Sequence, residues 1–386
     1  MVDESHISRA LSVAQEVRRH VHAHPELSGQ EWATSRYLQQ QLQELGWETC
    51  PVSASSPSFL AYYSGADVPA WGLRAELDAL PVHEATRLPF ASQCNGVMHA
   101  CGHDMHVAIA CGMAALASAV GAANMPLLVF ESSEEKLPGG AQAILSSEHF
   151  DSLRPRHMLA FHCDPSLPVG QIGFHEGAFM SSGDEVNITV RGRGGHAALP
   201  HQLIDPVVAS AHVMLALQTI HSRSVSPFVP SLLSFGNVIC HGAHNLIPDE
   251  VRLEGTLRTH SEEWRAQAKV LIRRIACASA ESLGAKAEVD IADGYPVLYN
   301  DPQYMQCIRA CVQAVEGVTC VDVPQRMTTD DFAYFAQLLP SAYLRLGVGD
   351  AGALHAVDFC PDEGALRVAL QALIAVAKGV WRPDGG

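Results

Sequence analysis

Short apolar segments that alternate with amphipathic segments place the strongest constraint on the fold of this chain. Five apolar runs have the length of buried strands and occur at 59–63, 72–77, 126–130, 158–162 and 342–346. Helical spacing of apolar residues occurs at 6–23, 31–45, 104–119, 140–146, 302–315, 330–338 and 361–378. Buried strands separated by helices predict an α/β architecture with a mostly parallel sheet.

A different order of elements interrupts this pattern between residues 183 and 293. Val186, Ile188 and Val190 alternate as in a half-buried strand. The segments that follow predict a helix near 207–215, strands at 229–240 and 250–258, a helix at 261–282 and a strand at 287–291. The order β-α-β-β-α-β is that of a ferredoxin-like unit. We therefore predict a larger domain formed by 1–182 and 294–386, and an inserted domain at 183–293.

The charge of the chain excludes nucleic acid as its partner. The 25 basic and 41 acidic residues give a formal net charge of −16, and phosphate binding depends on clustered Lys and Arg. Membrane insertion is also excluded, because no window approaches the roughly 18 uninterrupted apolar residues that a spanning helix needs. The 11 cysteines are odd in number and include no Cys-x-x-Cys pair, and no apolar signal segment is present. These features predict a reducing, cytoplasmic location.

The densest cluster of polar residues is His99-Ala-Cys101-Gly-His103-Asp104-Met-His106, between loop sequence and a predicted helix. The Cys-x-His spacing in extended backbone directs Cys101 and His103 to the same side. Thiolate and imidazole groups are good transition-metal ligands. The alternative is a set of hydrogen-bonded histidines at the beginning of a helix, and the cluster alone does not decide between the two.

A pair of adjacent carboxylates, Glu134 and Glu135, follows the predicted buried strand at 126–130. Ligand sites in α/β proteins form at the carboxyl ends of strands. One carboxylate of such a pair can bind a metal while the other acts as a general base toward a metal-activated water. Taken alone, the pair is better explained as an acidic helix N-terminus.

Two histidines occupy comparable positions at the ends of predicted strands. His162 ends the strand at 158–162, and His355 follows the strand at 342–346. Together with the thiol, imidazole and carboxylate described above, they complete a set of five candidate ligands: Cys101, His103, Glu135, His162 and His355. Five ligands are enough for two metal ions with open positions for water and substrate.

The inserted segment contains its own polar residues. A glycine-rich stretch, Arg191-Gly-Arg-Gly-Gly-His196, presents His196 on a loop and lacks the lysine of a phosphate-binding loop. Asn245 and Arg258 offer an amide and a guanidinium that could bind a substrate carboxylate, although either could be an ordinary surface group.

Several spaced motifs together resemble the amidohydrolase branch of metallopeptidase family 20. The motifs run nearly from end to end of the chain and are His22-Ala-His-Pro-Glu26-Leu, Arg74-Ala-Glu-Leu-Asp78-Ala-Leu-Pro, His99-Ala-Cys-Gly-His-Asp104, Glu134-Glu135 before Gly-Gly, His162 before Pro-Ser-Leu-Pro, Gly194-Gly-His196-Ala-Ala, Asn245-Leu-Ile-Pro-Asp and Leu354-His355. Among the departures from the family pattern, Glu76 stands where these enzymes usually have Asp.

The resemblance implies an aminopeptidase-like catalytic domain that binds two divalent ions (Mn, Zn, Co or Ni) and hydrolyses the amide bond of N-acyl amino acids. It implies that Cys101, His103, Glu135, His162 and His355 bind the metals, with Cys101 as a bridge. Glu134 matches the general base, and Asp78 matches a carboxylate that orients a ligand. His196 matches a histidine that stabilises the oxyanion. The inserted domain is similar to a dimerisation or lid domain, so a homodimer or a higher homo-oligomer is expected.

Three alternatives remain open at this point. A dipeptidase or carboxypeptidase would use the same fold and metals. A cysteine amidase would use Cys101 as its nucleophile with a histidine base. A binding module would use the metals only structurally, although such a module has no need for the second carboxylate of the Glu134-Glu135 pair.

Overall fold

The computed structural model describes residues 2–63, 69–121 and 124–379. The chain forms two compact units: Met1–Gly177, Tyr299–Pro324 and Asp331–Gly386 make the first, and Ala178–Leu298 with Gln325–Asp330 make the second. The second unit thus begins at 178 rather than at the predicted 183 and ends at 298 rather than 293. It also includes a short later segment that the sequence did not indicate.

The strands, in chain order, are β1 (Trp47–Ser53), β2 (Ser56–Tyr63), β3 (Trp71–Glu76), β4 (Leu127–Glu131), β5 (His157–Asp164), β6 (Gln171–Phe174), β7 (Gly177–Met180), β8 (Ser182–Arg191), β9 (Gly195–His196), β10 (Ser231–Cys240), β11 (Leu246–Ile247), β12 (Glu250–Thr259), β13 (Lys286–Ala292), β14 (Leu298–Asn300), β15 (Thr319–Asp322) and β16 (Ser341–Gly347).

The α-helices are α1 (Glu4–Ala23), α2 (Trp32–Glu44), α3 (His103–Ala114), α4 (Ala117–Val120), α5 (Ala141–Leu145), α6 (Glu148–Leu153), α7 (Pro206–Leu217), α8 (Glu262–Glu281), α9 (Pro302–Gln313), α10 (Ala333–Leu338) and α11 (Gly364–Gly379). The single helix predicted at 104–119 is wrong in one respect, because the structure divides it into α3 and α4. No helix among the described residues is long and apolar enough to cross a membrane.

The first unit contains an eight-stranded sheet with the order β1-β2-β4-β3-β5-β16-β6-β15. Its centre is parallel: β3 pairs in parallel with β4 and β5, and β5 pairs in parallel with β16. Antiparallel pairs occur toward the edges, between β1 and β2, β2 and β4, and β16 and β6. The predicted α/β fold with a mostly parallel sheet is confirmed.

Helix α3 lies at the centre of the first unit. Every residue from His103 to Ala114 is buried, since α3 packs against α1 and α11 and also against β3 and β5. A helix that is covered on all sides is largely apolar, and α3 carries polar side chains only in its first turn, at His103, Asp104 and His106. The N-terminus of α3 is therefore held rigidly beside the central strands.

The second unit contains a four-stranded antiparallel sheet with the order β10-β12-β8-β13. Its elements follow one another as β8, α7, β10, β12, α8 and β13, which is the predicted ferredoxin-like order. Helices α7 and α8 pack on this sheet and form its apolar core with alternate residues of the strands, such as Val186, Ile188 and Val190.

Candidate active site

The candidate site lies at the carboxyl ends of the central strands in the large sheet of the first unit. Because β4, β3, β5 and β16 are parallel neighbours, the segments at their carboxyl ends meet there. Asp78 follows β3, the pair Glu134-Glu135 follows β4, His162 lies near the end of β5, and His355 follows β16. The topology thus explains why residues far apart in sequence come together.

Cys101 lies just before α3 and His103 is the first residue of α3, and both side chains reach the same place. Between them, Gly102 has a left-handed backbone with φ of 86°. A Cβ atom built on Gly102 would lie 2.8 Å from Sγ of Cys163 and 3.2 Å from its Cβ. Only glycine fits both the conformation and the space, so the two flanking side chains depend on this residue for their placement.

Donor atoms of the five predicted ligands lie close together. Sγ of Cys101 is 3.4 Å from Nε2 of His162, and Oε1 of Glu135 is 3.4 Å from Nε2 of His355 and 4.0 Å from Nε2 of His103. Two groups of three have all donor atoms within 4.8 Å of one another: Cys101 with His103 and His162, and Cys101 with Glu135 and His355. Cys101 belongs to both groups.

Hydrogen bonds determine which nitrogen each buried histidine presents. Nδ1 of His103 lies 2.9 Å from the carbonyl oxygen of Asp78 and 3.2 Å from its Oδ1. Nδ1 of His162 lies 2.8 Å from the carbonyl oxygen of Cys163. Since both partners accept, each Nδ1 carries the proton, and Nε2 remains as the metal-binding atom.

The donor set fits a pair of metal ions. Nε2 of His103 and Oε1 of Glu135 are buried, and neither makes a hydrogen bond with another described residue. Burial lowers the pKa of His103, but Glu76 and Asp78 outweigh it and raise this pKa to about 10. Burial and the carboxylates Glu135 and Glu134 raise the pKa of the Cys101 thiol. The negative charge of these carboxylates favours cations. The two atoms without hydrogen bonds are both potential metal ligands, so the site suits divalent metals.

His355 adopts a strained conformation. Its φ is 67°, in the left-handed region that residues with a Cβ seldom occupy. Its backbone N–H donates to the carbonyl oxygen of Ala100 at 2.8 Å, next to Cys101. Strain of this kind is characteristic of functional positions, and here a main-chain hydrogen bond couples one candidate ligand to another.

The sequence did not reveal a buried ion network beside the site. The Arg74 guanidinium contacts Glu76, Glu131 and Asp331, all within the first unit. Glu76 in turn accepts a hydrogen bond from Nδ1 of His106 at 2.8 Å. Nε2 of His106 accepts a hydrogen bond from the backbone N–H of Cys163, the residue after His162. Both nitrogens of His106 are therefore occupied. The only feature of the sequence that pointed to a role for His106 was its position one helical turn after His103.

The remaining predicted site residues, His196, Asn245 and Arg258, belong to the second unit. His196 lies in β9 and is exposed; its Nδ1 accepts from the backbone N–H of Ala198 at 3.1 Å, so the neutral ring carries its proton on Nε2. Asn245 is exposed. Arg258 is half-buried, and its Nη1 donates to Oγ1 of Thr329 at 3.0 Å.

Comparison with known proteins identifies the family. The model of the peptidase family M20/M25/M40 matches residues 72–379. The chain belongs to this family. Among curated relatives it is 34% identical to N-acetyldiaminopimelate deacetylase of Halalkalibacterium halodurans, over 93% of this chain and 97% of that protein. It is 33% identical to N-acetylcysteine deacetylase of Bacillus subtilis, over 98% of both chains.

A solved structure agrees with these matches. The chain is similar to a dinuclear metal-binding peptidase of the M20 family from Bacillus subtilis, with a TM-score of 0.82 and 31% identity over 97% of this chain and 98% of that one. The predicted family and fold are confirmed, and the two overlapping donor groups agree with two metal ions. The identity of the metals stays a prediction.

Proposed function

We propose that this protein is a metal-dependent amidohydrolase that cleaves the amide bond of N-acyl amino acids to a carboxylic acid and a free amino acid. One observation carries the proposal. Two carboxylates face the thiol and imidazole donors: Oε1 of Glu135 lies 4.0 Å and Oε2 of Glu134 lies 3.9 Å from Nε2 of His103. A purely structural metal site has no use for this second carboxylate, but a hydrolase needs one as a base.

The proposed metal ligands are Cys101, His103, Glu135, His162 and His355. Because Cys101 belongs to both donor groups, its thiolate would help to hold both ions. The mixture of thiolate, imidazole and carboxylate suits Zn, Mn, Co or Ni better than Mg or Ca, which prefer oxygen ligands alone.

The side chains have separate roles in the proposed reaction. When bound, the two ions polarise the acyl carbonyl and lower the pKa of the attacking water. Glu134 accepts the proton from that water and later passes it to the leaving nitrogen. Asp78 holds His103 through Nδ1. His196, with its proton on Nε2, would donate to the oxyanion.

The amino acid part of the substrate carries a carboxylate. We propose that Arg258, whose guanidinium is half-buried, binds it, and that the Asn245 amide adds a hydrogen bond. Both named relatives act on N-acetylated amino acids that differ in their side chains. An N-acetyl group is therefore the first acyl group to test.

The cysteine-nucleophile alternative is weaker. Sγ of Cys101 does lie 3.4 Å from Nε2 of His162, as a Cys–His pair would require. A cysteine nucleophile, however, needs a lowered thiol pKa, whereas burial raises the pKa of Cys101 well above its ordinary value. Burial also lowers the pKa of His162, so this histidine does not supply the positive charge that stabilises a thiolate.

We propose that the protein forms a homodimer through the second unit and functions in the cytoplasm. Strand β10 ends the four-stranded sheet, and α7 exposes Val208 and Leu215. An edge strand and exposed apolar residues within one unit are typical of an interface. All 11 cysteines are free thiols, which agrees with a reducing compartment.

A chromatographic screen of N-acetyl, N-benzoyl and longer N-acyl amino acids against metal-reconstituted enzyme tests the function, with dipeptides alongside. We expect turnover of N-acyl amino acids, its loss on chelation with EDTA and its recovery with Zn, Mn, Co or Ni. Glu134→Gln should retain metal content while lowering kcat by about 100- to 10,000-fold. Activity that survives EDTA but not iodoacetamide would favour the cysteine mechanism. Metal binding without turnover of any substrate would favour a binding module.

A further inference from the structure

The loop that carries Glu134 is held in place by buried carboxylates from other parts of the first unit. The backbone N–H of Ser133 donates to Oε1 of Glu31 at 2.7 Å, and that of Glu135 donates to Oδ2 of Asp78 at 2.9 Å. Further along, Oδ2 of Asp331 accepts from two successive amides at 2.9 and 3.1 Å. Bonds from backbone amides to carboxylates are shorter and stronger than those between neutral groups.

Ser133 stands out within this loop. Its φ is 64°, a left-handed conformation that is unfavourable for a residue with a Cβ atom. Such a residue keeps its conformation only when its surroundings impose it. Ser133 immediately precedes Glu134, so its backbone angles set the direction in which the Glu134 side chain leaves the chain.

Glu31 is suited to impose this conformation. Its side chain is fully buried, at the point where α2 begins. A buried carboxylate is costly unless polar partners compensate for the loss of water. Burial and the nearby Asp78 raise the pKa of Glu31 to about 7. No part of the proposed mechanism uses this residue chemically, and its contact with the loop is the amide of Ser133.

We propose that Glu31 is a positioning residue for the reaction: by holding the Ser133 amide, it keeps Ser133 left-handed and aims the Glu134 carboxylate. The inference rests on the proposed function, because it takes Glu134 to be the general base. It predicts a specific kinetic signature. Loss of the hydrogen bond should misplace the base and lower kcat, with little change in KM or in metal content.

The test compares two substitutions of Glu31. Glu31→Leu removes the acceptor and should lower kcat by about 10- to 100-fold, the cost of a displacement near 1 Å. Glu31→Gln keeps an acceptor oxygen and should restore kcat to within about threefold of wild type. Metal content and KM, measured on the same preparations, should stay close to wild type in both.

A matched control comes from Glu26 in the same N-terminal segment. Glu26 also accepts from two backbone amides, those of Ala33 and Thr34, at 3.2 and 2.7 Å, but these amides belong to α2. Glu26→Leu therefore loses the same kind of bond without touching the loop. If it lowers kcat as much as Glu31→Leu does, Glu31 only stabilises the fold and the proposal is wrong.

A double-mutant cycle tests the left-handed residue itself. Glycine adopts φ of this sign without steric cost, so Ser133→Gly should reduce the need for Glu31. We expect the penalty of Glu31→Leu on kcat to shrink by about fivefold or more in the Ser133→Gly background. An equal penalty in both backgrounds would refute the proposed role of the backbone.

Hydrogen exchange distinguishes a failure of this inference from a failure of the proposed function. Measured on metal-free protein, exchange at the Ser133 amide should accelerate in Glu31→Leu and not in Glu26→Leu. Unchanged exchange would overturn the positioning role whatever the activity shows. Faster exchange together with ordinary turnover by Glu134→Gln would mean instead that the geometry is right and that Glu134 is not the base.

Discussion

Substitution of Asp78 by Asn should weaken metal binding by a magnitude that the structure allows us to work out. Oδ1 of Asp78 faces Nδ1 of His103 at 3.2 Å, while Oδ2 accepts from Oγ of Ser28 at 2.7 Å and from the backbone N–H of Glu135 at 2.9 Å. Both oxygens thus face donors. An asparagine side chain has only one oxygen, and its amino group donates only.

In either orientation, the amino group of the Asp78→Asn variant must face a donor. With the oxygen kept toward Ser28 and Glu135, the amino group meets the protonated Nδ1 of His103. Loss of a hydrogen bond to a charged group costs about 1.5–3 kcal/mol. His103 retains the carbonyl oxygen of residue 78 at 2.9 Å, so the ring stays in place. We therefore expect metal affinity to fall about 10- to 100-fold, within the range for residues that orient ligands.

Competition against a fluorescent chelator on metal-free protein measures this effect directly. Ser28→Ala is the control, because it removes one neutral donor to Oδ2 and leaves His103 untouched; we expect less than about a threefold change in affinity. Metal affinity in Asp78→Asn within twofold of wild type would refute the reasoning. An equal loss of metal affinity in Ser28→Ala would mean that the effect acts through the loop after β4 and not through His103.

Two further predictions concern the surroundings of the site. Gly102→Ala should destabilise the protein by about 2–5 kcal/mol and impair metal binding, because the new Cβ would press on Cys163. Gly96 is also left-handed but has open space around it, so Gly96→Ala should lower the free energy of unfolding by only about 1 kcal/mol. Burial lowers the pKa of His22, but the carboxylates of Asp104 and Glu84 outweigh it and raise this pKa from 6.5 to about 9. Its protonation therefore stabilises the fold fully below pH 6.5, and this contribution, roughly 3 kcal/mol, is lost as pH rises through 9. Denaturant titrations should show that slope in wild type and not in His22→Gln; parallel curves would contradict it.

The central part of the fold could be predicted from the sequence because its elements carry strong local signals. Strands β3, β4 and β5 are buried along almost their whole length, and each contains an apolar run, as is usual for strands covered on both faces. Arg74 interrupts the run in β3, and each of the three strands ends in an acidic residue. Strands β1, β6 and β15 were missed. They lie toward the two edges of the sheet, where polar and small residues are tolerated, and β1 even contains Pro51.

The predicted ligands could be recognised because their residue types are unusual at strand ends and in short motifs. The residues that hold these ligands in place could not be recognised from the sequence. Glu31 and Ser133 are 102 positions apart, and Arg74 and Asp331 are 257 apart, so no local pattern links the members of either pair. Glu31 has the additional disadvantage that an acidic residue before a helix is ordinary. Its burial and its partner are products of tertiary folding.

The loop after β4 joins the rigidity of the site to its affinity for cations. Its amides could have been satisfied by neutral carbonyl oxygens, yet Glu31, Asp78 and Asp331 accept them. Arg74 compensates the charge of Asp331. Glu31 and Asp78, when both are ionised, repel each other and add negative charge close to Glu134 and Glu135. Metal binding then relieves a repulsion that folding created, so part of the metal's binding free energy stabilises the loop. If Glu134 is the general base, as we propose, the loop that positions it is thus most stable when metal is bound.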